Sequence, residues 1–232
     1  QFPIQKHLVE IVGTARAIRR VIRRVRQGAC DLSIDLQNSR LTHAMAWASD
    51  ILTRIGYDRR WAWCLTRRVS LPRAPMDPVS HQFELLRAAG IAPDGQALEL
   101  WPADADERVA SRLADEFHLD PHKPLVGLHP WGSVRWRTKR WPLERWAALC
   151  DRLTAAGAQV VITGSASEQP LIDALRRVMT SAPAVVVGRT SLMELACLIR
   201  RCDVFVTHDS APLHIAVAMG RPTVALFGPT DP

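Results

Sequence analysis

The sequence predicts an α/β protein whose strands run parallel, and two observations lead to this prediction. Of the 232 residues, 47% are hydrophobic, a fraction typical of globular domains rather than of disordered or collagen-like chains. From residue 125 onward, short apolar runs alternate with amphipathic segments, which is the pattern of successive βαβ units. The length fits one large domain or two small ones. No run of about 18 consecutive apolar residues occurs, so the sequence offers no candidate membrane-spanning helix.

The second half of the chain predicts a doubly wound sheet, because its apolar runs are short and its intervening segments have helical periodicity. The predicted strands are Leu125–His129, Gln159–Thr163, Ala184–Val187, Val204–Thr207 and Thr223–Phe227. The predicted helices between them are Leu143–Ala156, Glu168–Met179, Leu192–Arg200 and Pro212–Met219.

The first half of the chain is less regular. Its predicted helices are Leu8–Arg26, Ser39–Thr53, Val79–Ala89 and Asp104–His118, and its predicted strands are a buried one at Asp31–Leu36 and a short one at Thr66–Leu71. The remainder of residues 58–78, rich in Arg, Trp and Pro, is expected to form an irregular loop. The segment Asp120–Pro124 is predicted to link two domains, 1–119 and 120–232.

Positive charge is concentrated near the beginning of the chain. Residues 1–70 contain 13 basic and 5 acidic side chains, whereas residues 71–232 contain 17 and 18. This pattern suits an anionic partner, nucleic acid or membrane, but a solvated basic face is an equal alternative. The basic first helix could lie on a membrane, although we favour packing on a sheet with its arginines in water. Five cysteines without a CxxC pair indicate reduced thiols of a cytosolic protein.

The segment HDSAPLH, which follows a predicted strand, is the most informative candidate site. Asp209 and Ser210 occupy helix N-cap positions, and Pro212 lies in the first turn. The backbone N–H groups of Ser210 and Ala211 are expected to face a diphosphate, with His214 one turn further on. Helix capping alone would account for the cap residues but not for His214. A serine-hydrolase site is disfavoured because the Gly-x-Ser-x-Gly elbow is absent.

Two further loops follow predicted strands at the same edge of the sheet. The loop from 129 to 142 contains Ser133 and Lys139, and an ammonium there suits a phosphate contact, although a solvated basic loop is the alternative. In the segment TGSASE, Glu168 begins a helix and could accept the hydroxyls of a ribose. It could equally be a first-turn carboxylate that favours the helix dipole.

Several segments together resemble glycosyltransferase family 9, the ADP-heptose:lipopolysaccharide heptosyltransferases. These segments are HPWGSVRWRTKRWP, TGSASE, GRTSLMEL and above all HDSAPLHIAVAMGRPTVALFGPTDP, and IDLQNSR resembles the family's D-x-Q-G turn. The resemblance covers essentially the whole chain. It implies the GT-B architecture, in which two Rossmann-like domains with parallel sheets face each other across a cleft, with the first domain incomplete here.

The resemblance also implies the role of each candidate residue. Ser210, Ala211 and His214 would bind the donor diphosphate, with Lys139 and Ser133 approaching it from the facing loop. Glu168 would bind the ribose, and the backbone around Thr190 would face the adenine. Asp209 would position the start of the helix and contact the transferred sugar. Ala211 stands where the family usually has Gly, which narrows the approach to the phosphates.

The implied reaction is inverting transfer of a heptose, or a related sugar, from a nucleotide diphosphate to the lipopolysaccharide core. The expected partners are this donor and an anionic glycolipid, not nucleic acid, at the cytoplasmic face of the inner membrane. No cofactor or metal is expected: the DxD spacing at Asp104–Asp106 begins a helix, so capping is favoured over metal binding.

The family's general-base Asp lies in a Ser-x-x-Gly-Asp turn that we expect upstream of residue 1, so this piece alone is expected to be inactive. The alternative is a nucleotide-sugar-binding module without turnover.

Overall fold

The computed structural model describes residues 3–72, 76–132 and 141–228, with side chains from residue 14 onward except that of Pro78. The chain divides into two compact units, residues 1–96 and 97–232. The predicted α/β class with parallel strands is confirmed in each unit. Among the described residues, no helix is long and apolar enough to cross a membrane.

In the part of the first unit that the structure describes, three parallel strands form a sheet in the order β1-β2-β3. The helices contribute a long basic segment, α1, which contacts α2 and whose described arginines are exposed. The elements are α1 (Pro3–Gln27), β1 (Leu32–Ile34), α2 (Arg40–Ala48), β2 (Thr53–Tyr57), β3 (Arg67–Val69) and α3 (Pro78–Ala88), with a 3₁₀ turn at Ala62–Cys64.

Strand β2 is the main error of the sequence prediction in this unit. The helix predicted to extend to Thr53 ends at Ala48, because Asp50 adopts a left-handed backbone with φ 58° and turns the chain. The following segment pairs with β1, and it buries Ile55 and Tyr57. Strand β1 was predicted to be buried, but Leu32 is exposed and Ile34 is only half-buried.

The described part of the second unit contains a parallel sheet in the order β6-β5-β4-β7-β8. Its strands are β4 (Leu125–His129), β5 (Gln159–Ile162), β6 (Ala184–Val185), β7 (Val204–His208) and β8 (Thr223–Leu226). Its helices are α4 (Asp104–Glu116), α5 (Leu143–Ala155), α6 (Gln169–Val178), α7 (Leu192–Arg201) and α8 (Ala211–Ala218), with a 3₁₀ turn at Ala166–Glu168. The predicted strands and helices of this half match these ranges closely, with a shorter β6.

Alternation along the buried central strands builds a core on each side of this sheet. Val126 and Leu128 of β4 pack with Trp146 of α5 and Ile172 of α6. On the other side, Val161 of β5 packs with residues of α4 and α7, among them Ala110, Leu113, Cys197 and Leu198. The helices therefore cover both faces, and only the strand ends are left to form a site.

Helix α4 belongs to the second unit, although the predicted boundary at 119/120 placed it in the first. The reason is its packing on α7, reinforced by Glu107, which accepts hydrogen bonds from Arg200 and Arg201 at 2.6 Å each. The predicted linker is likewise held in place: the Gln159 side chain accepts from the backbone N–H of Asp120 and donates to its carbonyl.

Candidate functional site

The carboxyl ends of the central strands bring buried polar side chains together. The register of β4 and β7 places His129 beside Thr207, and β5 is followed at once by Thr163. His129, Thr163, Thr207 and His208 are all buried, although they lie at the ends of strands. Buried polar groups need hydrogen-bond partners, so we expect ordered hydrogen bonds at this edge of the sheet.

His129 and Thr163 join the ends of β4 and β5. The hydroxyl of Thr163 lies 2.9 Å from His129 Nδ1 and donates to the Leu128 carbonyl at 3.3 Å. We therefore assign the ring proton of His129 to Nδ1, which donates to the hydroxyl oxygen. The indole N–H of Trp131 donates to the Thr163 carbonyl at 2.9 Å. A Cβ on Gly164 would lie 2.6 Å from that nitrogen, so glycine is required where the indole crosses.

The His208 ring fixes the beginning of the next segment. Its Nε2 accepts the backbone N–H of Trp141 at 2.8 Å, so this nitrogen is unprotonated. Burial, together with the neighbouring His208 ring, lowers the pKa of His129 to about 4. His129 is therefore neutral at pH 7. Both sides of the loop 129–142 are thus attached to the strand ends, by His129 and Trp131 before it and by Trp141 after it.

Helix α8 begins without a side-chain cap. Ser210 occupies the N-cap position, as predicted, but its hydroxyl donates to the His208 carbonyl at 3.3 Å and caps none of the helix N–H groups. Pro212 has no N–H to offer, so the start of the helix presents the backbone of Ser210 and Ala211. Ala211 and His214 are exposed, whereas Asp209 is half-buried. The macrodipole makes this end of α8 attractive to an anion.

The sequence predicted that Glu168 begins α6. In the structure it is the last residue of the 3₁₀ turn, and α6 begins at the next residue. Glu168 Oε2 accepts from the backbone N–H of Ser165 at 2.6 Å and from the Ser165 hydroxyl at 2.9 Å. The alternative, a structural role at the helix start, thus accounts for one of the two carboxylate oxygens, Oε2. The ribose contact stays a prediction. It would involve the other oxygen, Oε1, of this half-buried side chain.

The turns carrying Glu168 and Thr190 lie against each other. Gly188 has φ 71°, its N–H donates to the Gly164 carbonyl at 2.8 Å, and a Cβ there would lie 2.9 Å from Ala166. Thr190 is half-buried and directly precedes Ser191, the N-cap of α7. The structure therefore brings together the turns predicted to hold ribose and adenine, at the ends of β5 and β6.

Two predicted site residues, Ser133 and Lys139, lie outside the described residues, and their phosphate contacts stay predictions. The Asp104–Asp106 pair begins α4, where Asp106 Oδ2 accepts from the backbone N–H of Ala103 at 2.8 Å. This is the helix-capping arrangement that the sequence favoured over metal binding. Among the described residues, no cluster of three metal-ligating side chains occurs.

The sequence interpretation missed two features. The His129–His208 pair was overlooked because each residue occupies the last position of an apolar strand. In the first unit, buried Asp35 follows β1, accepts from Thr42 Oγ1 at 2.6 Å and lies 3.3 Å from Nε2 of buried His43. The acidic residue inside IDLQNSR was the available signal, but its histidine partner lies eight positions further on.

The family of the chain follows from a sequence comparison. The family model described as glycosyltransferase family 9 (heptosyltransferase) matches residues 18–232. The chain belongs to this family. Lipopolysaccharide heptosyltransferase 2 of Salmonella typhimurium is 30% identical to it over 203 residues, which is 83% of this chain and 55% of that protein. The chain therefore spans about half the length of this relative.

Solved structures of family 9 members have the same fold. The crystal structure of a glycosyltransferase family 9 protein from Veillonella parvula has a TM-score of 0.82 at 24% identity, over 93% of this chain and 62% of that chain. The Escherichia coli ADP-heptose lipopolysaccharide heptosyltransferase II has a TM-score of 0.71 at 24% identity, over 93% of this chain and 68% of that chain.

Proposed function

We propose that the protein containing this chain transfers a heptose, or a closely related sugar, from an ADP-sugar to the lipopolysaccharide core, with inversion at the anomeric carbon. One observation carries the proposal: the N-cap Ser210 gives α8 no side-chain cap at the carboxyl end of β7, within the segment HDSAPLH that most resembles the family's donor motif. The second unit would hold the donor, and the acceptor would be an anionic glycolipid.

The diphosphate is the part of the donor that the described geometry accommodates best. The N–H groups at the start of α8, which the Ser210 side chain does not cap, suit its oxygens, and His214 lies three positions after Ala211 on the same helix face. Lys139 and Ser133 would approach from the loop whose two sides are attached to the strand ends. Each of these groups stabilises negative charge, which grows on the diphosphate as the bond to the sugar breaks.

The nucleoside would occupy the paired turns at the ends of β5 and β6. Glu168 would accept the ribose hydroxyls, and the backbone around Thr190 would face the adenine. Asp209 would hold the helix start in place and meet the transferred sugar. The nucleoside assignments are supported by the contact between these two turns, which lie at the strand edge where open α/β sheets bind nucleotides.

The chemical step needs a base and a stabilised leaving group. The anomeric carbon loses its bond to the diphosphate oxygen and gains one to an acceptor hydroxyl oxygen, whose proton passes to a carboxylate. By analogy with the family, that carboxylate would be the Asp of a Ser-x-x-Gly-Asp turn. We propose that no metal ion takes part, because Lys139, His214 and the α8 dipole would stabilise the leaving diphosphate in its place. The reaction would occur in the cytoplasm, at the inner membrane.

Calorimetric titration of the intact protein with ADP tests this donor site. Lys139→Ala should weaken ADP binding about 10- to 100-fold, the loss expected when a charge-assisted hydrogen bond is removed. His214→Ala should weaken it several-fold. Lys123→Ala and His122→Ala are matched controls, because both side chains are exposed just before β4, at the opposite edge of the sheet.

Failure of ADP to bind the folded protein, or equal affinity in all four variants, would refute the assigned site. Binding of the ADP-sugar by the intact protein without any transfer to an acceptor would identify a binding module instead of an enzyme.

A further inference from the structure

The first unit displays a cluster of exposed tryptophans that the donor site does not involve. Trp47 at the end of α2 and Trp61 and Trp63 in the segment after β2 are 51%, 46% and 59% exposed. The ring centroids of Trp47 and Trp63 lie 5.7 Å apart in an edge-on arrangement, and those of Trp61 and Trp63 lie 6.4 Å apart. We call these three side chains the tryptophan cluster.

The cluster is held in place by an unusual backbone. Trp61 has φ 73°, a left-handed conformation that is unfavourable for a bulky side chain. The 3₁₀ turn that follows is anchored because its own residues Ala62 and Cys64 are buried, as is the next residue, Leu65. Arg54 also donates from Nε to the Cys64 carbonyl at 2.5 Å. The indoles are thus exposed on an ordered scaffold.

The chemistry of the cluster matches the headgroup layer of a bilayer. Within the described residues, none of the three indole N–H groups has a hydrogen-bond partner, so each ring combines an apolar body with a free donor. This combination explains why tryptophan is enriched at membrane–water interfaces, where the ring meets acyl chains and the N–H meets water or headgroups.

The surrounding charges suit an anionic surface. Residues 58–68 contain Arg59, Arg60, Arg67 and Arg68 against a single acid, Asp58, and all five side chains are exposed. None of these arginines forms an ion pair among the described residues. Arg59 and Arg60 directly precede Trp61 in the chain. Exposed apolar rings and exposed arginines are the two contributions that hold peripheral proteins on membranes containing anionic lipid.

We propose that the tryptophan cluster, with the arginines of residues 58–68, docks the protein on a bilayer that contains anionic phospholipid. The proposal accords with the glycolipid acceptor proposed above, but the docking itself requires neither donor nor acceptor. It also gives the positive charge of residues 1–70 a physical partner.

Vesicle co-sedimentation of the intact protein tests the docking surface. The protein should bind vesicles of phosphatidylcholine with added phosphatidylglycerol, and bind phosphatidylcholine alone far more weakly. Trp61→Ser with Trp63→Ser should lower the partition coefficient about tenfold, through loss of apolar contact. Trp101→Ser is the matched control, because Trp101 is 79% exposed in the second unit and should leave partitioning unchanged.

The charge contribution is tested in the same way. Arg59→Gln with Arg60→Gln should weaken binding about tenfold and reduce its salt dependence. The control, Arg176→Gln with Arg177→Gln, removes two exposed arginines at the end of α6 and should have no effect. Circular dichroism and ADP titration verify that each variant is folded. Because the vesicles carry no lipopolysaccharide, a negative result here leaves the donor-site test unaffected.

Three results would overturn the proposal. The first is absence of binding by the wild-type protein, and the second is equal binding by the tryptophan variant. The third is self-association that Trp61→Ser with Trp63→Ser abolishes in analytical ultracentrifugation, which would assign the cluster to a second copy of the chain.

Discussion

Helices α7 and α8 both begin at the carboxyl edge of the same sheet, but their first turns differ. At α7, Glu194 accepts the Ser191 N–H at 2.6 Å, and the Ser191 hydroxyl accepts the Glu194 N–H at 3.3 Å. At α8, the Ser210 hydroxyl turns back to the His208 carbonyl and caps nothing. The first helix start is satisfied by its own side chains. The N-cap serine of the second gives no such cap, and we propose that the first N–H groups of α8 bind the donor diphosphate instead.

The strand ends beneath the two helices differ in the same sense. Strand β7 ends in buried His208, beside buried His129, whereas β6 ends in the small apolar residues Ala184 and Val185. A buried histidine pair is costly unless it is kept neutral and hydrogen-bonded. The strand ends next to α8 thus contain a buried titratable residue, His129, whereas β6, which precedes α7, contains none.

The largest expected effect comes from this histidine pair. Because the pKa of His129 is about 4 in the folded protein, against about 6.5 when unfolded, the unfolded state binds the proton first as the pH falls. The free energy of unfolding should therefore be unaffected by His129 above pH 6.5, and should fall by about 3 kcal/mol as the pH is lowered to 4.

Urea unfolding across this pH range measures the effect. The variant His129→Gln should lose less stability than the wild type between pH 6.5 and 4, whereas exposed His122→Gln should keep the wild-type slope. Identical slopes for the wild type and His129→Gln would mean that the buried ring is not the titrating group.

A smaller effect should distinguish the two cap serines. Removal of the hydroxyl in Ser191→Ala should cost about 1 kcal/mol, the usual loss for an N-cap residue. Ser210→Ala should cost less than about 0.5 kcal/mol, because its hydroxyl makes only long contacts, to the His208 carbonyl at 3.3 Å and the Thr207 hydroxyl at 3.4 Å, and caps no N–H. Urea midpoints of the two variants provide the comparison. Equal losses would show that both helices are capped alike.

Most of the second unit could be predicted from the sequence because its central strands β4, β5 and β7 are almost entirely buried. An apolar run such as LVGLH at β4, bounded by Pro124 and Pro130, is typical of a central strand. The N-cap position of Ser210 was predictable for a similar reason, since Ser is a favoured N-cap residue and Pro212, two positions further on, is typical of a first turn. Local signals sufficed where a single element determined the outcome.

The features that were missed depend on contacts between distant segments. Strand β2 was hidden because the helical pattern of α2 extends past Asp50, and only the left-handed turn there ends it. The assignment of α4 to the second unit depends on Glu107 and two arginines more than 90 positions away. The anchoring of Trp141 by His208 spans 67 positions. Periodicity within a window carries no information about such pairs.

The most direct measurement compares a negative charge placed at the start of each helix. Ala211→Glu and Leu192→Glu each put a carboxylate at the first position of α8 or α7, and each side chain is exposed. Both variants should gain up to about 1 kcal/mol of stability from the helix dipole.

Calorimetry with ADP should then separate them. Ala211→Glu should weaken binding about 100-fold, since its carboxylate occupies the place of the diphosphate, while Leu192→Glu should change the affinity less than about threefold. Wild-type affinity in Ala211→Glu, or equal losses in both variants, would contradict the assignment of α8 as the diphosphate-binding helix.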